Sequence, residues 1–418
     1  MSKKKKKPSA HQIQKLAGAQ YKKEFFRKFR FIFNVFCNDT LFQQIPSTAL
    51  EKLYNFRSHY FRLVSTKEKY LSNALIDSFK TDLAMMHKNN NVKLNDTDVE
   101  ISVYDYLTAG LSLKVFGDMI IKDNDFPAAK EIREGIAKFK VDGEIEPQVQ
   151  KIFVASFETI AYWNNDIAKC QYWFRYEIET PLEPGAGICN IIYVHSALPQ
   201  ITSVVVNGIA RPAILFEWAQ PQIGPQCVSI KPSSLNIDGP FADIPMKVYI
   251  QKHALQRLAE RVDSLSLGIV QYFMYLSFTD SRVFYDHHNN LLVEYRIAGI
   301  RAGYFRVDIV EGIVIVRTFL FITNNDTPEG QLLEKNTGLQ KTDKKYLAMD
   351  KLSTFMSSDI GNSKEFRKII DEAGCHSLIE LHETLKDAIT KKGNSISEQL
   401  LVNYLNKDNL FETFDSLS

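Results

Sequence analysis

A histidine and two arginines recur at every fourth position in the segment that starts at His253. If this segment is helical, His253, Arg257 and Arg261 lie at i, i+4 and i+8 and share one face. The apolar residues form a second stripe that points largely the other way: Leu255, Leu258, Ala259 and Val262. Arginine pairs with phosphate oxygens through two hydrogen bonds, and histidine exchanges protons near neutral pH. The polar stripe therefore suggests a site for a phosphodiester.

RNA cleavage without a metal would give each of these groups a distinct role. The reaction needs a base for the 2′-hydroxyl proton, a cation beside the phosphate and an acid for the leaving oxygen. His253 could act as base or acid, and Arg257 and Arg261 could hold the phosphate. In the alternative interpretation the helix simply faces solvent, and its arginines lie near Glu260 and Asp263. The sequence leaves both interpretations open.

A second candidate group lies on the predicted strand Leu291–Ile297. Period-two alternation places Glu294 and Arg296 on one side of this strand. Glu294 could then act as a base and Arg296 as a phosphate-binding group, provided that this side meets the helix. In the alternative interpretation both belong to a cross-strand ion pair on an exposed face of the sheet.

Arg317 lies within an otherwise apolar run, Ile313–Ile322, which predicts a central strand covered on both faces. A guanidinium inside such a strand needs a partner or a ligand. A carboxylate such as Glu294 or Asp308 would satisfy it, and a bound phosphate would do so equally. Tyr304 could donate a proton or stack on a base, although simple packing also explains it.

The histidines and cysteines do not form a pattern typical of a metal site. His287 and His288 are adjacent, so their side chains point apart, and they fit a polar turn. The five cysteines are scattered with no C-x-x-C spacing, which is typical of reduced thiols in a cytoplasmic protein. We therefore expect no metal and no cofactor.

The basic character of the chain is concentrated at its start. Met1 to Phe31 contain eleven Lys or Arg residues against one acid, Glu24, although the whole chain carries a net charge of only +2. The first five lysines would attract phosphates regardless of sequence: Lys3, Lys4, Lys5, Lys6 and Lys7. The helical pattern that follows interleaves aromatic residues with lysine and arginine between Tyr21 and Phe33. These aromatic rings could stack on bases, lie on an anionic membrane surface, or form an ordinary core.

Length and composition indicate a folded protein with more than one domain. A chain of 418 residues exceeds one ordinary core, and 45% hydrophobic with 24% charged residues is typical of a soluble protein. No run of 18 apolar residues predicts a membrane span, and no apolar signal core follows the first lysines. We expect a multidomain α+β protein in the cytoplasm.

The pattern along the chain predicts five segments. Residues 1–12 are expected to be a disordered basic tail, and residues 13–165 a helical domain. A β-rich region follows at 166–245, then a small α/β unit at 246–323, and a helical C-terminal region at 324–418. Asn207-Gly208 is a two-residue hairpin signal within the β-rich region.

The order predicted for residues 246–323 resembles that of small bacterial ribonuclease toxins of the RelE/BrnT type. It comprises a strand, two helices and an antiparallel run of three or four strands. The segment from His253 to Arg261 also resembles the H-x-x-x-R-x-x-[ED]-R helix of an uncharacterised domain family often grouped with them. The resemblance covers about 80 of the 418 residues. It implies an RNA-cleaving or RNA-binding fold that needs no metal, with His253, Arg257, Glu260 and Arg261 in the helix and Arg296 or Arg317 on a late strand.

Three functions follow from these patterns. We expect RNA binding or metal-independent RNA cleavage in a bacterial toxin or antiphage-defence system, with RNA preferred over DNA. The helical flanks would restrain the site or contact a protein partner. One alternative is a non-catalytic interaction or assembly protein with a RelE-like scaffold. Another is a sequence-independent nucleic-acid binder that uses the basic N-terminus.

Overall fold

The computed structural model describes residues 10–66, 70–94, 97–123, 125–139, 146–179, 189–206, 208–356 and 364–390. The chain divides into two compact units: unit 1 is Met1–Phe157 with Arg175–Val194, and unit 2 is Glu158–Phe174 with His195–Ser418. The protein is a multidomain α+β protein with helical regions towards both ends and a β-rich middle.

Unit 1 is mainly helical. Its elements are α1 (Ala10–Phe36), α2 (Asp39–Gln43), α3 (Ser47–Phe56), β1 (His59–Ser65), α4 (Asn73–Asn89), β2 (Asn91–Lys93), β3 (Glu100–Ser102), α5 (Val103–Asp105), α6 (Leu111–Val115) and α7 (Ala129–Ile136). Helices α5 and α6 continue into π-helical turns at Tyr106–Gly110 and Phe116–Ile120. Three further elements contain residues of both units: α8 (Glu146–Asn164), β4 (Gln171–Glu179) and β5 (Cys189–Ala197).

Helix α1 begins at Ala10, so the last three residues of the expected disordered tail are helical, and this part of the prediction is wrong. Alanine and glutamine favour a helix, which extends the element towards the start of the chain. Lys3 to Lys7 lie outside the described residues.

The aromatic residues of α1 form the core of unit 1. Phe25, Phe29, Ile32 and Phe33 are all at most 5% exposed. Their spacing places them on one face of the helix, where Phe29 meets Phe116 edge to face at 5.7 Å between ring centroids. The core interpretation is confirmed for these residues. Two aromatic residues stay outside the core, since Tyr21 is 42% exposed and Phe31 54%.

Unit 2 is built on a large sheet. The strands of unit 2 are β6 (Ile201–Val206), β7 (Ile209–Leu215), β8 (Glu217–Gln220), β9 (Gly224–Cys227), β10 (Ser229–Ile230), β11 (Met246–Gln251), β12 (Val283–Tyr285), β13 (Leu291–Ile297), β14 (Ile300–Val310) and β15 (Ile313–Phe321). Its helices are a 3-10 turn at Pro232–Leu235, α9 (Lys252–Arg261), α10 (Leu267–Thr279), α11 (Pro328–Thr337), α12 (Lys341–Tyr346), α13 (Leu352–Met356), α14 (Lys364–Glu372) and α15 (His376–Thr390).

The strand order of this sheet is β12-β13-β14-β15-β11-β7-β6, with β10 paired to β11. Strands β11 and β15 are parallel, and the other pairs are antiparallel. Residues 246–323 therefore contain the expected strand, two helices and four strands. The sheet extends across the boundary expected at 245/246, because β7 pairs with β11.

Both faces of the sheet are covered at its centre. Helix α9 packs on β15 and β11, helix α10 on β13, and helix α15 on β14. Val314, Ile315 and Val316 are 0% exposed, which confirms the prediction of a central strand at 313–322. These packed elements determine which side chains of unit 2 reach solvent.

Candidate functional site

Helix α9 forms as expected, with Ala254, Leu255 and Leu258 buried against the sheet. His253 is exposed near the start of the helix. Ala259 is also exposed, so the apolar stripe is narrower than predicted. The polar face thus exists, but its chemistry depends on what surrounds each cation.

Both arginines of α9 are paired with carboxylates. Arg257 Nη1 lies 2.8 Å from Glu260 Oε2 at the surface. Arg261 pairs with Asp350, and these side chains are only 18% and 13% exposed. Ser353, which follows Asp350 closely in the chain, also contacts the end of α9. Its N donates to Asp263 at 3.0 Å and its Oγ donates to the same carboxylate at 2.8 Å. The C-terminal region therefore covers the end of the helix where a phosphate was expected.

Glu294 and Arg296 do not lie on an exposed face of the sheet, and they do not pair with each other. They are 3% and 8% exposed, and the pairing of β13 with β14 shifts register between Tyr295 and Arg296. Arg296 donates to the carboxylate of Asp280 at 2.8 Å and to its backbone carbonyl at 2.5 Å. Glu294 accepts instead from Arg301 Nε at 2.9 Å. The register shift comes from an extra residue in β14, Ala302, and Glu294 and Arg296 bind different partners.

Arg317 has the kind of partner that burial requires. It pairs with Asp308, one of the two carboxylates expected, and its Nε lies 3.3 Å from Gln251 Oε1. Each of the five charged candidate residues on α9 and the strands thus forms an ion pair within the protein: Arg257, Arg261, Glu294, Arg296 and Arg317. Among the residues that the structure describes, none of these five side chains pairs with His253.

The polar cluster that does assemble in unit 2 joins β13, β14 and α11. Arg301 Nη1 donates to Glu329 Oε1 at 2.5 Å, and the Tyr304 hydroxyl donates to the same oxygen at 2.8 Å. Burial lowers the pKa of Arg301, but its hydrogen bonds to Glu294 and Glu329 outweigh burial and raise the pKa overall. Burial, and then the charge of Glu329, raises the pKa of Tyr304. The cluster ties the C-terminal helices to the sheet.

His287 and His288 occupy an exposed turn, as expected, and His287 Nδ1 pairs with the side chain of Gln331. The described residues contain no group of three His, Cys, Asp or Glu side chains that could hold a metal ion.

A pocket of about 180 Å³ opens in unit 1, between α1, α4 and the π-helical turn at Tyr106–Gly110. Its lining combines aromatic rings with lysines: Tyr21, Glu24, Phe25, Lys28, Lys88, Tyr104, Thr108 and Ala109. Single π-helical turns are frequent at functional sites. The basic, aromatic pattern of α1 indicated Tyr21 and Lys28, whereas nothing in the sequence joined Lys88 and Tyr104 to them.

Two ammonium groups lie over the Tyr104 ring. Lys88 Nζ is 5.0 Å from the ring centroid and Lys28 Nζ is 5.4 Å from it. Lys28 also donates to Asp105 Oδ1 at 2.5 Å, whereas the exposed Lys88 forms no ion pair within the described parts of the chain. Burial raises the pKa of Tyr104, with smaller contributions from Tyr21 and Asp105, so the phenol stays neutral. Lys88 keeps its hydrogen-bond donors available.

Tyr60 and His87 form a hydrogen-bonded pair beside the pocket. The ring of Tyr60 lies 4.6 Å from that of Tyr104, and its hydroxyl is 2.8 Å from His87 Nδ1. His87 is 0% exposed, and burial lowers its pKa to about 3. The imidazole is therefore neutral near pH 7, where it holds Tyr60 and, through it, Tyr104.

Cations and aromatic rings continue to alternate beside the pocket. The Arg57 guanidinium carbon lies 3.9 Å from the Tyr54 ring centroid and 5.6 Å from that of Tyr21. Lys22 Nζ lies 5.0 Å from Tyr54. This side of α1 presents several cations on aromatic faces, an arrangement found where proteins stack bases and hold phosphates. We call the pocket together with these residues the α1 surface.

Two hydrogen-bond acceptors lie at the pocket. Arg27 donates to both carboxylate oxygens of Glu24, at 2.6 and 2.8 Å, and this pairing lowers the pKa of Glu24. The Thr108 hydroxyl donates to the Tyr104 carbonyl at 2.8 Å, so its oxygen offers only lone pairs to other groups.

Comparison with protein-family models, with curated proteins and with solved structures gives no match to this chain. The resemblance of residues 246–323 to RelE/BrnT toxins therefore stays a prediction. Among the helices that the structure describes, none is long and apolar enough to cross a membrane.

Proposed function

We propose that the protein binds single-stranded RNA through the α1 surface of unit 1. The observation that carries the proposal is the pocket in which Lys28 and Lys88 lie over the face of Tyr104. An aromatic face stacks on a base, while an adjacent ammonium group contacts the phosphate of the same strand.

The size of the pocket matches one base. Its volume of about 180 Å³ slightly exceeds the roughly 150 Å³ of an engineered protein cavity that binds benzene. It is below the range of about 300–1,000 Å³ that holds whole drug-sized ligands. One unstacked base can therefore enter, with its sugar and phosphate outside. A duplex keeps its bases stacked and paired, so it lacks the group that the pocket would take.

The charges around the pocket suit a strand backbone. Lys88 lines the pocket, is exposed, and forms no ion pair among the described residues. The first five lysines of the sequence, Lys3 to Lys7, immediately precede this helix in the chain. Free ammonium groups release counterions from RNA without displacing a protein carboxylate. We place RNA before DNA because RNA offers unstacked bases in its loops and ends.

Binding has more support than cleavage. Arg257, Arg261 and Arg317 already neutralise carboxylates, so a phosphate would have to displace a protein group at each of them. His253 alone would supply a proton-transfer group but no stabilisation for the phosphate. Action within a toxin or antiphage-defence system stays a proposal based on the resemblance of residues 246–323.

Fluorescence anisotropy with a labelled 12-nucleotide single-stranded RNA tests the proposal. We expect the RNA to bind, its duplex to bind at least about tenfold more weakly, and Tyr104→Leu and Lys88→Ala each to weaken binding. Matched controls are Tyr346→Leu and Lys130→Ala, which alter exposed residues away from the pocket. The absence of single-strand binding, equal binding of the duplex, or equal effects of the control variants would each overturn the proposal.

A further inference from the structure

We infer that the pocket on the α1 surface selects guanine, with Glu24 as the residue that determines the preference. The inference rests on the proposed function, because it concerns which base of a bound single strand enters the pocket.

The acceptors of the pocket favour a base edge that donates. Glu24 lines the pocket as a carboxylate, and a carboxylate only accepts hydrogen bonds. Arg27 uses one direction at each of its two oxygens and holds the group in one orientation. A carboxylate has about four lone-pair directions, so two stay free for a ligand. Thr108 lines the same pocket and adds another acceptor, because its proton is used by the Tyr104 carbonyl.

The donors of the pocket favour a base that also accepts. Lys88 Nζ is exposed, lines the pocket, and has no carboxylate partner within the described residues. Lys28 Nζ donates to Asp105 and also lies 4.0 Å from Glu24 Oε1, which leaves it a smaller part in contacts with a ligand. The pocket therefore offers a carboxylate acceptor and an ammonium donor to the same ring.

Among the four RNA bases, guanine best matches this arrangement. Its N1–H and N2 amino group are adjacent donors that a carboxylate can accept in parallel, and its O6 accepts from an ammonium group. Uracil has one N–H between two carbonyl oxygens, and a carboxylate repels both of these oxygens. Adenine and cytosine each offer an amino group beside a ring nitrogen that itself accepts. A base that covers the Glu24 carboxylate without donating to it displaces water and returns no hydrogen bond, and this cost penalises the wrong base.

The test uses four 11-nucleotide RNAs that differ at one position: U11, and U11 with a central guanine, adenine or cytosine. A single guanine avoids the folding of guanine-rich strands. For the unmodified protein, anisotropy should give an affinity about tenfold higher with guanine than for U11, which equals about 1.4 kcal/mol. Adenine and cytosine should fall below guanine.

Glu24→Gln should reduce the guanine preference to less than about threefold. Because the substitution also frees the positive charge of Arg27, the affinity for U11 should stay the same or rise, which a misfolded variant would not show. Glu131→Gln removes the same charge from an exposed site on α7 and should keep the preference intact.

The outcomes separate the two proposals. Equal affinity for all four RNAs, or a preference for adenine or cytosine, overturns the guanine inference while RNA binding stands. A preference that survives Glu24→Gln removes Glu24 from the role assigned to it. Failure of every RNA to bind overturns the proposed function itself.

Discussion

Helix α9 of unit 2 and the pocket of unit 1 both contain cations that pair with carboxylates, but the pocket also contains Lys88, on α4. In α9 of unit 2, Arg257 and Arg261 each pair with a carboxylate. On the α1 surface of unit 1, Lys88 lies over an aromatic ring and has no ion pair among the described residues. An ammonium group without a carboxylate partner keeps its hydrogen-bond donors free, whereas a paired cation, such as Lys28 beside Asp105, has already used some of them. The comparison shows that the number of cations in a segment does not measure its capacity to bind phosphate.

The local sequence of α9 suggested a phosphate site because one carboxylate partner of its arginines lies far away in the chain. The partner of Arg261 lies 89 residues further along the chain, at Asp350. The C-terminal region brings that carboxylate to the helix, together with Ser353, which donates to Asp263. The α9 arginines therefore contribute to the packing of unit 2.

Breaking the buried charge cluster of unit 2 should have the largest effect on stability. Glu329→Ala removes one of the two carboxylates that pair with Arg301 and the acceptor of the buried Tyr304 hydroxyl, so we expect a loss of about 2–3 kcal/mol in the free energy of unfolding. Urea denaturation followed by circular dichroism measures it. Glu260→Ala removes an exposed carboxylate of α9 and should change stability by less than about 0.5 kcal/mol. If Glu329→Ala and Glu260→Ala changed the free energy of unfolding equally, the buried cluster would contribute no more to stability than an exposed ion pair.

The buried histidine below the pocket should make the stability of unit 1 depend on pH. Burial lowers the pKa of His87 from 6.5 to about 3, so the unfolded chain binds a proton that the folded chain excludes. Its contribution is fully present above pH 6.5 and is lost as the pH falls towards 3, at up to about 1.4 kcal/mol per pH unit.

Urea denaturation between pH 4 and 8 measures this dependence. His87→Phe should flatten it, whereas His253→Gln, at an exposed position, should not. An unchanged slope in His87→Phe would mean that other groups cause the pH dependence.

Stacking variants test the comparison of α9 with the pocket of unit 1 directly. Tyr104→Leu should weaken single-strand RNA binding by about 1–3 kcal/mol, the usual value for one stacked base. His253→Ala and Arg257→Ala should leave both RNA affinity and RNA integrity unchanged, as gel analysis of incubated total RNA would show. Loss of binding or of an RNA-cleaving activity in the α9 variants would reverse the comparison.

The salt dependence of RNA binding should show the smallest effect, and this effect reports directly on the contact between a lysine and a phosphate. For a single strand, each phosphate contact contributes about 0.7 to the slope of log affinity against log salt concentration. Lys88→Ala should lower the slope by about that amount, and Lys130→Ala, exposed on α7, should not. An equal decrease in both variants would indicate diffuse attraction without a defined contact at the pocket.

The sequence was a good guide wherever one local repeat sufficed. The helical spacing of Phe25, Phe29, Ile32 and Phe33 predicts a buried face, and the four are buried together. The order of elements between residues 246 and 323 also follows from local periodicity. The partners of the charged side chains were harder to predict, because alternation along β13 does not reveal that Arg296 pairs with Asp280 or that β14 carries an extra residue.

By itself, the sequence determined the mainly helical character of the first region, the order of elements between residues 246 and 323 and the concentration of positive charge near the start of the chain. It did not predict the strands β1, β2 and β3 within the expected helical domain. The tertiary structure decided which cations meet a carboxylate and which meet a ring. Periodicity acts over a few residues, whereas Asp350 reaches Arg261 and Tyr104 reaches Lys28 only after distant segments pack. The free energy of those contacts depends on burial and neighbours, which exist only in the folded protein.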